Sequence, residues 1–184
     1  ALATDSSRWL MAGNSGVLLR GRDVTIDSLL LFNERGGRVA LSAVVPDTGR
    51  ARFHLRADSL PLLDIGMLAQ IKAPLSGWAN FTVTGAGSAL APVINAEARF
   101  SNILYDSLRL DSGSARVEYV ANRASVRVDV ARGNASVLQM QGSLPIALRY
   151  FGATLLDDSL QATIRTEGAS LDLVQAFIPG VRDA

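Results

Sequence analysis

The residues able to do chemistry are few and far apart. The 184-residue protein contains one histidine, His54, and no cysteine. Apolar and polar residues alternate from Ala51 to Arg56, so His54 shares the polar side of a strand with Arg52 and Arg56. It reads as a solvated residue rather than a general base or ligand, because the common zinc sites and nucleophile–base triads lack their other members. Asp157 and Asp158 are a candidate carboxylate pair for acid/base work. Adjacent residues approaching a strand point apart, however, and a turn is the better reading. Gly85-x-Gly87 fails the dinucleotide fingerprint, since position 90 is Leu and no helical pattern follows. The sequons Asn80-Phe81-Thr82 and Asn134-Ala135-Ser136 are chance matches. These residues assemble no catalytic centre, metal site or cofactor site, and the sequence reads as that of a non-enzyme.

Composition narrows the field further. The formal charge is +1, with both signs interspersed, which lacks the one-sided basic excess of a nucleic-acid binder. Lys72 is the only lysine among 18 basic residues, an Arg bias that fits a GC-rich genome better than a phosphate-gripping role. Absence of cysteine is permissive of any compartment. No apolar run approaches the ~20 residues needed to span a bilayer. With no initiator Met and no signal-peptide pattern at Ala1, the sequence reads as a segment of something longer, any membrane anchor lying outside it.

The elements that would position a site are strands. Val39, Leu41 and Ala43 alternate with Ala40 and Ser42; Ile94, Ala96, Ala98 and Phe100 with Asn95, Glu97 and Arg99; Val126, Val128 and Val130 with Arg127 and Asp129. The same holds for Leu138 and Met140 against Gln139 and Gln141, and for Leu160, Ala162 and Ile164 against Gln161, Thr163 and Arg165. Weaker runs at 17–20, 24–31, 81–85, 108–110, 115–120 and 146–151 bring the expectation to about a dozen strands. Turn chemistry at Gly36-Gly37, Pro46–Gly49, Gly85–Gly87, Asp111–Gly113, Ala121-Asn122 and Arg132–Asn134 separates them. Short loops between alternating strands predict an antiparallel meander, with 124–131 and 137–143 as its clearest hairpin.

Two stretches break the alternation. Leu62, Ile65 and Leu68, and later Leu171, Val174, Phe177 and Ile178, recur at helical spacing, predicting short amphipathic helices over 60–71 and 171–178. Each would follow a Pro-containing strand order, with Pro46 and Pro145 spaced 99 residues apart, and Asp-Ser-Leu recurs at 27–29, 58–60, 106–108 and 158–160. The sequence therefore reads as one repeat-built β-domain over 1–184, with approximate units 1–90 and 91–184.

What remains to act is the apolar face. It is either the inside of a closed, dry sandwich or barrel, as in a structural or adhesive envelope domain, or a continuous surface running the length of an elongated molecule. Trp9-Leu10, "VALSAVVP", "GSLPIAL", the Leu-Pro-Leu helix at 60–71, "LSGWANFTVTGAGSALAPVINAEARF" and "SLDLVQAFIPGV" together resemble the repeat region of the TamB and AsmA-like proteins of Gram-negative envelopes. The resemblance covers nearly everything from about Trp9 onward and is one of order and texture.

The resemblance implies an elongated antiparallel sheet curved into an open trough, with two short amphipathic helices. It further implies a periplasmic location within an inner-membrane-anchored, envelope-spanning protein, with phospholipid as cargo moving between the membranes. An outer-membrane barrel of the assembly-factor class is the implied protein partner, through regions outside this sequence. The lipid groove would be lined by Val39, Leu41, Phe53, Leu55, Phe81, Val83, Ile94, Ala96, Ala98 and Phe100. Its continuation would be Val117, Tyr119, Val126, Val128, Val130, Leu138, Met140, Ile146, Leu148, Leu160, Ala162 and Ile164.

Overall fold

The computed structural model describes residues 2–3, 8–13, 16–68, 70, 74–88, 91–105, 108–149 and 152–166. The helix expected over 171–178 lies outside the described residues. Thirteen strands and one helix occur among them. The first half of the sequence supplies β1 (Leu2–Ala3), β2 (Arg8–Met11), β3 (Val17–Arg20), β4 (Asp23–Asn33), β5 (Arg38–Val45), β6 (Ala51–Pro61), α1 (Leu62–Leu68) and β7 (Leu75–Ser88). The second half supplies β8 (Ala91–Tyr105), β9 (Leu108–Val120), β10 (Arg123–Arg132), β11 (Ala135–Arg149), β12 (Gly152–Leu155) and β13 (Gln161–Thr166).

All strands join one antiparallel sheet in the order β1-β2-β4-β5-β6-β7-β8-β9-β10-β11-β12, which does not close on itself. The long strands form the expected meander. At its two flanks the pairing divides: β3 and β2 share the free side of β4, and β13 and β12 share the free side of β11.

Turn chemistry explains the reversals. Asn33 Oδ1 accepts the backbone N–H groups of Arg35 and Gly37, closing the loop into β5. Ala121 and Asn122 both have positive φ, 50° and 59°, as a two-residue turn matching strand twist requires. The expected hairpin forms as β10 and β11, turning at Gly133 and Asn134.

Three expected breaks are not breaks. Gly85–Gly87 lies inside β7 and Asp111–Gly113 inside β9, so 108–110 and 115–120 belong to one strand. Pro145 lies inside β11, which runs unbroken through both 137–143 and 146–149. In an antiparallel strand a residue's N–H and C=O point to the same side, and the Pro145 carbonyl accepts Leu156 N–H on the flank side. The missing proline N–H therefore falls where β13 has ended and β12 has not begun, at no cost to a ladder.

The strands have two unlike ends. α1, shorter than the 60–71 expected, packs on β6 and β7 where β6 finishes; this end is the helix-side rim. Three register shifts stand there in line: Ala57/Leu60 on β6, the one opposite Ser76/Trp78 on β8 and the one opposite Val130/Ala131 on β11. Such bulges bend a strand and sharpen its twist. Both packed apolar clusters stand there too, Trp9 with Ala57 and Leu60, and Leu110 with Val130, Val137 and Leu138. The other end, the far rim, carries the β5–β6 loop and the β9–β10 turn.

Candidate functional site

Directly paired residues of antiparallel strands share a face, so the register identifies the two surfaces of the sheet. One row on the first face runs Leu41, Leu55, Val83, Ala96, Val117, Val126, Gly142 and Ala162. The row beside it runs Val39, Ala57, Phe81, Ala98, Ala115, Val128, Met140 and Ile164. Phe100, Gly113, Val130 and Leu138 continue toward the helix-side rim, and Phe53, Gly85, Ile94, Tyr119, Ala124 and Leu144 toward the far rim. Ile146 and Leu148 extend this last row by alternation. Of the residues expected to line the groove, all but Leu160 thus sit in strands on a single face. Leu160 precedes β13 and is exposed.

Most of this face is half-buried, although nothing among the described residues covers its middle. Its fully buried side chains larger than alanine cluster at the helix-side rim, with Tyr119 at the far rim as the exception; the small Ala43, Gly85 and Gly87 are also buried toward the far rim. α1 lies over that first rim: Ile65 packs with Trp9, Ala57 and Leu60, and Trp9 Nε1–H donates to the buried Asp64 carboxylate at 3.2 Å. This contact, spanning 55 residues of sequence, was not foreseeable from periodicity. A Trp and an Asp far apart in an alternating sequence carry no signal that they will meet.

The sheet also curls. Leu148 at the end of β11 lines one cavity with Val45, Ala51 and Phe53 of β5 and β6, although β7, β8, β9 and β10 lie between in the sheet order. β11 is held there by its overhang beyond β10. Asn122 O accepts Ile146 N–H at 2.9 Å, and the Tyr119 hydroxyl accepts Leu148 N–H at 3.0 Å while donating to Asn122 Oδ1 at 3.2 Å. Tyr119 was expected only to line the face; its hydroxyl fixes the curl.

The opposite face is polar. Its rows read Arg56, Thr82, Glu97, Arg116, Arg127, Gln141, Thr163 and His54, Thr84, Asn95, Glu118, Ser125, Ser143, Gln161. His54 stands exposed between Ser42 and Thr84, and Glu97 pairs with Arg116 at 2.6 Å. Arg56 forks onto the Asp58 carboxylate. Those hydrogen bonds hold the Asp58 carboxyl below the ordinary carboxylate range and raise the Arg56 guanidinium further. A cleft of about 390 Å³ on this side is walled by Arg116, Glu118, Arg127 and Gln141, all exposed. Asp158, of the candidate carboxylate pair, binds Arg123 and accepts Ser159 N–H, a turn-stabilising arrangement.

No candidate helix crosses a membrane: among the described residues none is long and apolar enough. Comparison with protein-family models, with curated proteins and with solved structures finds no match to this protein.

Proposed function

We propose that the apolar face is a lipid path: a periplasmic segment whose trough shields phospholipid acyl chains in transit between the inner and outer membranes and so supports outer-membrane assembly. The observation that carries this reading is the unbroken run of apolar rows across β5 to β11, curled yet half-exposed. A dry structural core would be covered by a second layer, and no second layer lies over the middle of this face among the described residues.

The physical need matches. Each methylene exposed to water costs ~0.8 kcal/mol, so a sixteen-carbon chain costs about 12 kcal/mol, and unaided crossing of an aqueous gap is very slow. A continuous apolar surface removes most of that cost while headgroups remain in water. Transport of this kind asks for Val, Leu and Phe and for no reactive group. An outer-membrane barrel of the assembly-factor class, engaged through other regions, is the protein partner this reading proposes.

A photo-crosslinking amino acid at position 128 and at 127, introduced in cells, tests the reading. Phospholipid adducts are expected at 128 and not at 127. Adducts at both, or at neither in a folded and expressed protein, would favour a structural domain instead. Organic extracts of the purified protein should contain co-purified phospholipid.

A further inference from the structure

The cavity at the far rim has a volume of about 330 Å³ and sits between two walls that are not neighbours in the sheet. One wall is Val45, Phe53, Gly85, Pro92 and Ile94; the other is Leu148. We propose that this cavity is a fixed station for one acyl chain of a diacyl phospholipid, with the headgroup left outside the rim. The proposal rests on the lipid-path reading and goes beyond it by naming where a tail is held.

The lining dictates the chemistry of the occupant. Ser88 carries the one polar side chain in the wall, and its Oγ already accepts Ala91 N–H at 3.2 Å. Only the Ser88 hydroxyl hydrogen is left to meet a polar group brought in by a ligand, and further polar groups unpaired in such a site are costly. The occupant is therefore hydrocarbon where it touches the wall. A headgroup or free carboxylate, which needs several partners, would find at most that one hydroxyl there and is better hydrated outside. The size agrees: the volume lies at the low end of ligand cavities, which suits one tail rather than a whole lipid.

Gly85 keeps the station open. A Cβ there would stand 2.0 Å from Phe53 Cε1, so the Phe53 ring lies directly on the glycine backbone. Any larger residue drives the ring off that floor and into the cavity. The helix-side rim cannot serve in the same way, because α1, Trp9 and Leu60 already occupy it.

The test uses the purified protein mixed with phosphatidylglycerol vesicles containing a trace of phosphatidylcholine with a diazirine midway along one tail. After irradiation, adducts are mapped by mass spectrometry. Labels are expected on the Phe53, Ile94 and Leu148 peptides as well as around Val126 and Val128. Gly85→Ala should lower the first group by about tenfold while the second persists, a loss of ~1.4 kcal/mol in binding. Leu148→Trp, which fills the cavity from the opposite wall, should do the same; circular dichroism checks that both remain β-folded, and if one does not, the other decides. Labels around Val126 and Val128 with none at the cavity would overturn the station and leave the lipid path standing. Labels nowhere on a folded protein would overturn both. Cavity labels insensitive to both substitutions, or obtained from a diazirine fatty acid but not from the phospholipid, would also overturn the proposal.

Discussion

The two rims are built from the same strands and solve opposite problems. At the helix-side rim a bulge on β6 leaves Ser59 at φ 52°, its N–H taken by Asn80 Oδ1, and one on β8 leaves Asn102 at φ 51° opposite Gly77 of β7 at φ 122°. Each bend turns apolar residues inward until Ala79, Leu110 and Leu60 are buried and α1 seals the end. At the far rim small residues, Gly85 and Ala86, occupy the matching stretch of β7, and a cavity stands where the other rim has a core. Stability should therefore be concentrated at one end of every strand and adaptability at the other.

The sharpest break of that contrast compares two aromatic truncations. Trp9→Ala should cost about 3–5 kcal/mol, since it empties a packed site and removes one hydrogen bond to buried Asp64. Phe53→Ala, which enlarges a cavity already open to solvent, should cost no more than about 1–2 kcal/mol. Urea denaturation of both variants measures the difference; equal losses would abolish the distinction between rims.

Next come two of the three glycines of β7, Gly77 and Gly85. A Cβ at Gly77 would meet Asn102 O at 2.6 Å and Ser101 O at 2.8 Å, both backbone, on top of its positive φ. Gly77→Ala should cost about 1–3 kcal/mol of strain. At Gly85 the obstacle is a side chain free to swing, so Gly85→Ala should lose clearly less stability than Gly77→Ala, read as midpoint shifts in thermal unfolding.

The polar face should respond least. Glu97→Ala removes an ion pair whose two side chains are about 60% and 59% exposed, and should change stability by no more than ~0.5 kcal/mol, less still in high salt. Asp58 is held below its ordinary pKa by Arg56, so it adds stability above the unfolded carboxylate value of about 3.9, which is lost as pH falls through its lowered value. Asp58→Asn should flatten that part of an acid-unfolding profile and leave neutral pH little changed.

Strand identity and facing were legible because alternation is a direct imprint of a sheet with one wet side. Val126, Val128 and Val130 against Arg127 and Asp129 specify the face of β10 outright. Glycine and proline misled, since both mark turns in sequence yet here serve other needs. Gly85 yields space to Phe53, Gly113 lies beneath Phe100 and Ile103, and Pro145 fits a gap between flanking strands. Each of those roles depends on a neighbour brought in by the fold. The curl was hidden for the same reason: it hangs on the Tyr119 hydroxyl reaching a backbone N–H 29 residues away.

The order of strands in the sheet from β4 to β11 is also their order along the sequence. Each new strand needs only the one just made, so the loop that must close is always short and its entropy cost stays small. All-β proteins are slow folders chiefly when distant segments must find each other first. This one can assemble by sequential zippering, hairpin upon hairpin, with the Trp9–Asp64 contact forming only once β6 has been laid down. A polypeptide that emerges gradually, from a ribosome or through a membrane pore, could thus add strands in the order in which they appear.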